Sequence, residues 1–292
     1  MCVFCGFPAA GQGEHVFPTW YLQHWDSQGP FTQEVNRAPI RRRDGGAQQT
    51  EVAPRVKLPV CGSKSAHDCN GWLNTTFEVP AKPHVRAVLD RLQVLDAAGT
   101  TAFARWWAKT LLLSHHPASW SSFPGRRPAR WEFPVDLLPA MRRTDELPAD
   151  LSLWMAILDD RAEAGRLPRR LRVDLPRTSR DDGSGGRGRS AVWGTPLPDG
   201  RRLVLQLVFH PLCDVEHSFE AAGLATRLWP EPPSTLDVSA HRAVGPVGYA
   251  QLEGLFTNLG TLVGLPPDGR VHIHGRADFE PLNICIRFGD EE

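Results

Sequence analysis

The sequence predicts an α+β protein with a cysteine-rich N-terminal quarter, a helical connection, and a C-terminal mixed region built mainly on antiparallel sheet. Four of the six cysteines, Cys2, Cys5, Cys61 and Cys69, fall within the first quarter of the 292 residues. Two stretches between His84 and His115 repeat apolar residues at three- and four-residue steps, the period of an amphipathic helix. Beyond Ala118 the apolar runs become short and are punctuated by Pro, Gly and Arg, as in strands joined by turns. These changes of character place the expected boundaries at 1–84, 85–117 and 118–292.

Taken in order, Cys2-x-x-Cys5 is a tight knuckle that lets two thiolates point at one metal, and Cys61 and Cys69 can close a tetrahedral site from across a hairpin. Seven residues separate the second pair, where zinc knuckles usually have roughly two to four. Buried free thiols are one alternative. A redox pair is another, but Phe7-Pro8 and Gly-rich sequence follow where such a motif would head a helix. Zinc is the favoured reading, because a Cys-x-x-Cys this early in the chain has no core to enter until a metal organises one.

Glu14-His15-Val16-Phe17-Pro18 reads as a short extended segment, since Val and Phe favour strand and the residue before Pro is pushed out of helix. Thr19 to Trp25 follows as a short helix capped by Thr19. A turn at Asp44-Gly45 makes Arg41, Arg42 and Arg43 one side of a loop or hairpin, either a phosphate contact or a solvated charged loop. Residues 54–60 form the expected second strand and carry Lys57, a further phosphate candidate. After Cys69 a helical reading puts Asn70, Asn74 and Glu78 on one face at four-residue steps, and Pro80 is expected to stop it. Asn70 could alternatively serve as a helix cap, and Glu78 as a surface charge or a buried anchor for an Arg or Lys82.

His84 to Ala98 and Thr101 to His115 are the two amphipathic helices. Trp106 and Trp107 read as packing residues, because Phe103, Trp107 and Leu111 continue one stripe. The expected strands are 151–158, 171–175, 191–195, 202–210, 223–229, 271–274 and 282–288, with a flexible stretch at 179–190 and a helix at 249–263. His210, Cys213 and His217 have metal-like spacing, but Pro211 lies inside the set. His272 and His274 share a strand face, and His115-His116 closes a helix, where the dipole would favour positive charge.

A formal net charge of zero and a pI near 7.2 exclude a whole-protein basic field of the kind that marks many nucleic-acid binders. Any such contact must then be local. Basic residues are mostly Arg, with Lys only at 57, 64, 82 and 109. No run of eighteen apolar residues occurs and there is no leader pattern, so a cytoplasmic protein without a membrane span is expected. Zinc thiolates agree with a reducing compartment.

Cys2-x-x-Cys5, Glu14-His15-x-x-Pro18 and the Cys61…Cys69-Asn70-x-Trp72 run ending in Glu78 together resemble the HNH endonucleases over about residues 1–84. The resemblance implies a ββα-metal (His-Me finger) fold stapled by structural Zn2+. It implies His15 as general base, with Glu14 and Asn70 holding a catalytic Mg2+ or Mn2+, and Asn74 and Glu78 as further ligand candidates. The partner it implies is nucleic acid, DNA first, in a defence setting, and enzymes that cut both strands often act as homodimers. No Asn occurs at 54–60, where the family's middle Asn is expected. An imidazole of ordinary pKa near ~6.5 suits a general base, and oxygen donors suit a hard cation. The alternatives are the same fold acting on RNA or a small molecule, or a non-catalytic zinc-stabilised binding module.

Overall fold

The computed structural model describes residues 1–9, 13–26, 31–32, 34–35, 38–39, 49–50, 56–120, 133–159, 189–210, 214–217, 220, 223–245, 270–273 and 286–288. Arg41, Arg42, Arg43 and their Asp44-Gly45 turn lie outside them. So do the strand expected at 171–175, the helix expected at 249–263, Cys213 and His274.

Gly13 turns the chain into its first strand. Its φ is +72°, and a Cβ there would stand 2.5 Å from the Leu58 carbonyl oxygen, so only glycine admits the approach. Strand β1 (Glu14–His15) follows, then α1 (Thr19–Asp26), four two-residue strands β2 (Phe31–Thr32), β3 (Glu34–Val35), β4 (Ala38–Pro39) and β5 (Gln49–Thr50), and β6 (Lys57–Leu58). Strands β1 and β6 pair antiparallel, with Glu14 opposite Leu58 and His15 opposite Lys57. Within the loop between them, β2 pairs with β5 and β3 with β4. Thr19 is the first residue of α1 rather than its cap, and the Pro18 carbonyl accepts the Tyr21 and Leu22 amides.

The helical run after Cys69 is longer than expected. It comprises α2 (Cys69–Leu73), a π-helical turn (Asn74–Glu78) and α3 (Val79–Arg91). Pro80 does not end it. The wide turn sends the Val79 amide to the Asn74 carbonyl five residues back, and Pro80 then occupies the first turn of α3, where a missing N–H matters least. Leu92 terminates α3 in left-handed geometry at φ 53°. The helix expected to reach Ala98 therefore stops at Arg91, and β7 (Leu95–Asp96) intervenes. Asp96 caps α4 (Ala97–Ser114) by accepting the Gly99 amide at 2.8 Å, so this helix starts ahead of the expected Thr101.

The C-terminal part contributes α5 (Leu137–Thr144), β8 (Leu151–Leu158), β9 (Arg189–Pro196), β10 (Arg202–Phe209), β11 (Asp214–His217), β12 (Ala225–Trp229), β13 (Thr235–Leu236), β14 (Ala243–Val244), β15 (Arg270–Ile273) and β16 (Ile286–Phe288). Of the stretch expected to be flexible, 189–190 belong to β9 and 179–188 lie outside the described residues. The main sheet runs β12-β8-β10-β9, all antiparallel, with β14 parallel beside β8. The α+β class with mainly antiparallel sheet is as expected.

Helix α4 is the spine. Phe103, Trp106, Trp107 and Leu111 are fully buried, and the helix packs on α3 and on β9, β10 and β12. Burying each such side chain is worth about 1.5–3 kcal/mol. One apolar cluster runs from Cys2 and Phe4 through Tyr21 and Trp106 to Leu205 and Val238, continuous across residues 84 and 117. No helix among the described residues is long and apolar enough to cross a membrane.

Candidate metal centre and adjoining acid cluster

The first knuckle is folded by its backbone. Cys2 donates its amide to the Phe7 carbonyl at 2.7 Å and its own carbonyl accepts the Gly6 amide at 3.0 Å, with Gly6 at φ +72°. The Val3 amide donates to the Pro59 carbonyl at 3.0 Å, which brings the knuckle to the end of β6 and so to Cys61. Asp68 starts α2 by accepting the Gly71 amide at 3.0 Å, which fixes Cys69 as the first residue of the helix. Asp68 therefore takes the capping role that Asn70 was a candidate for.

These turns gather four sulfurs. The Sγ atoms of Cys2, Cys5, Cys61 and Cys69 all lie within 4.8 Å of one another, and those of Cys5 and Cys61 are 3.6 Å apart. A disulfide would need about 2.0 Å, whereas a tetrahedral zinc with bonds of about 2.3 Å has sulfur–sulfur edges of roughly 3.8 Å. The four thiols fit a metal such as zinc. Burial opposes ionisation of Cys61, but hydrogen bonds from the Cys69 amide and from Ser65, Cys69 and Cys5 outweigh it and bring the thiol down to about 7. Burial pushes Cys5 and Cys69 upward, with the Arg142 side chain opposing the rise at Cys69.

Directly after the last cysteine, the Asn70 amide donates to the Cys61 carbonyl at 2.9 Å. Its side chain lies near enough to the half-buried Glu14 carboxylate of β1 to favour the ionised form, as does the His15 amide. The structure thus brings Glu14 and Asn70 together. Burial raises the Glu14 carboxyl above its ordinary range, the Lys109 charge pulls it back, and the Glu78 charge pushes it up again. His15 is half-buried, the next residue of β1, opposite Lys57.

Glu78 is no surface charge. It is 8 % exposed, accepts the Trp106 indole N–H at 2.9 Å and pairs with the Lys109 ammonium. Its cationic partner is Lys109 of α4, not Lys82 or an arginine. The face expected to carry Asn70, Asn74 and Glu78 together does not form, because the π-helical turn adds a residue between them. Asn74 is left exposed while Phe77 and Glu78 both turn inward. Lys109 is the residue that sequence reasoning missed. Its one signal was a lone charge within the apolar run Trp106 to Leu113.

The remaining histidines resolve separately. His115 lies at the end of α4, but burial outweighs the helix dipole and lowers its pKa to about 4, and His116 is lowered the same way. His210 hydrogen-bonds Ser152 at 2.8 Å, and His217 donates Nε2–H to Gln206 at 2.9 Å. Trp106 and Trp107 are core residues, as expected.

Comparisons with protein-family models, with curated proteins and with solved structures find no match for this chain.

Proposed function

We propose that this protein is a metal-dependent endonuclease of the HNH type that hydrolyses phosphodiester bonds of nucleic acid, DNA first. The observation that carries the reading is the nearness of the Asn70 side chain to Glu14, which brings the helix residue after the last cysteine to the strand bearing His15. The antiparallel β1–β6 pair, with α2 next in the chain after β6, supports the reading, α1 and β2–β5 lying between the two strands in sequence.

Each residue then has a role. The Glu14 carboxylate and the Asn70 side-chain carbonyl are the hard oxygen donors that would hold Mg2+ or Mn2+. A cation held there would supply charge relief to the phosphoryl oxygens and the leaving alkoxide. His15 takes the proton of the attacking water, a task suited to imidazole near neutral pH. Lys57, opposite His15 in the strand pair, is the candidate phosphate contact. The cysteine cluster works structurally, since it fixes the end of β6 and the start of α2 together. Net neutrality makes contact with the substrate local rather than a matter of long-range steering.

The test is a cleavage panel of supercoiled plasmid, linear DNA and structured RNA with the zinc-loaded chain in Mg2+ or Mn2+. Nicking or cutting of DNA that stops on chelation of the divalent cation is expected. Preference for RNA would keep the chemistry and change the substrate. Intact nucleic acid throughout would leave a non-catalytic binding module.

A further inference from the structure

The cysteine cluster is uneven in its access to solvent. Cys2, Cys61 and Cys69 are buried, whereas Cys5 is half-buried on a knuckle whose next residues, Gly6, Phe7 and Pro8, are exposed. The Cys5 sulfur lies 3.6 Å from that of Cys61, in hydrogen-bonding contact across 56 positions of sequence. Cys61 Sγ also accepts the Cys69 amide at 3.4 Å, so it is held against the start of α2. The Val3 amide, bonded to the Pro59 carbonyl at 3.0 Å, keeps the knuckle beside the Cys61 segment.

We propose that the cluster is a peroxide-sensitive clasp, in which oxidation joins Cys5 to Cys61 and the metal held by the four thiols is released. Oxidation of a cysteine follows its exposure, which makes Cys5 the point of attack, and Cys61 is the sulfur in contact with it. The Cys5 sulfur attacks one oxygen of hydrogen peroxide, the O–O bond breaks, and the departing hydroxide takes a proton to become water. The Cys61 sulfur then attacks the Cys5 sulfenic acid. The S–S bond forms, the S–O bond breaks, and a second hydroxide leaves as water after protonation. Each sulfur gives up one electron and the peroxide takes both. Cys2 and Cys69 alone cannot close a tetrahedral site. The disulfide keeps the knuckle fastened to the chain after β6, while Cys69 at the head of α2 loses its metal-mediated tie. A dithiol reductant reverses the reaction. The clasp needs only the cysteine cluster and is independent of the nuclease reading.

The experiment exposes the zinc-loaded full chain to hydrogen peroxide. Released zinc is read with a chromophoric indicator, and the disulfide is mapped by mass spectrometry after the remaining thiols are alkylated. Zinc release in step with disulfide formation is expected, with Cys5–Cys61 as the principal linkage, and dithiothreitol with added zinc should restore the metal content. Cys5→His keeps a zinc donor at the position but removes the attacking thiol, so release should slow at least about tenfold. A different principal linkage, zinc retained under excess peroxide, or release from Cys5→His at the wild-type rate overturns the proposal. Should Cys5→His hold no zinc, the disulfide map of the wild type decides alone. A wild type that takes up no zinc overturns the clasp together with the metal centre, a failure visible before any peroxide is added.

Discussion

Cys61 and Cys69 each serve two purposes, as thiols of the cluster and as the points that tie the chain after β6 to the start of α2. Cys61→Ser is therefore expected to abolish stoichiometric zinc by elemental analysis and to loosen Glu14 from Asn70 together with it. His217 gives the clearest pH dependence. Burial, aided by the Arg227 charge, lowers its pKa from 6.5 to about 3. The unfolded chain thus takes up a proton that the folded one refuses. The stability contributed by neutral His217 is complete above about pH 6.5 and drains away as pH falls toward 3, a loss on the order of a few kcal/mol. Urea melts between pH 7.5 and 4 should show a steeper acid decline for wild type than for His217→Gln. Equal slopes would mean that His217 is not buried as described. At this scale the sequence marked the cysteines, Glu14 and Asn70 by their chemical type and spacing. For Lys109 it offered only a lone charge within an apolar run, because a long-range ion pair leaves no local pattern that names its partner.

The two-residue strands β1 and β6 are too short to hold a site by their own hydrogen bonds, and they depend on Gly13, on the cysteine cluster and on α2. Gly13→Ala is expected to cost about 1–3 kcal/mol in chemical denaturation, because it forces both an unfavourable φ and a clash with the Leu58 carbonyl. It should weaken divalent-cation binding in parallel, as Glu14 loses its register. Long periodic elements were legible from sequence. Strand β8 spans 151–158 as read, and α4 carries its apolar stripe on Phe103, Trp107 and Leu111. The π-helical turn was not legible. Pro80 is ordinarily a stop signal, and only the widened turn in front of it lets the helix continue. The same turn separates Asn74 from Glu78, one exposed and the other buried.

The apolar cluster that begins at Cys2 and reaches Val238 has α4 at its centre, so the cysteine cluster and the main sheet share their interior. Removing zinc with a strong chelator is therefore expected to lower the temperature of one cooperative calorimetric transition. A separate low-temperature transition would mean that the N-terminal unit melts alone. The same continuity explains how a residue of the expected helical connection, Lys109, reaches Glu78 in the first eighty residues. The central claim is that this shared framework holds His15 beside the Glu14–Asn70 pair for phosphodiester hydrolysis, and the most direct measurement is the rate of plasmid nicking by zinc-loaded wild type and His15→Ala in Mn2+. The account predicts a loss of about 10²–10⁴-fold for His15→Ala with zinc content and melting temperature unchanged. Equal rates from the two proteins would contradict it.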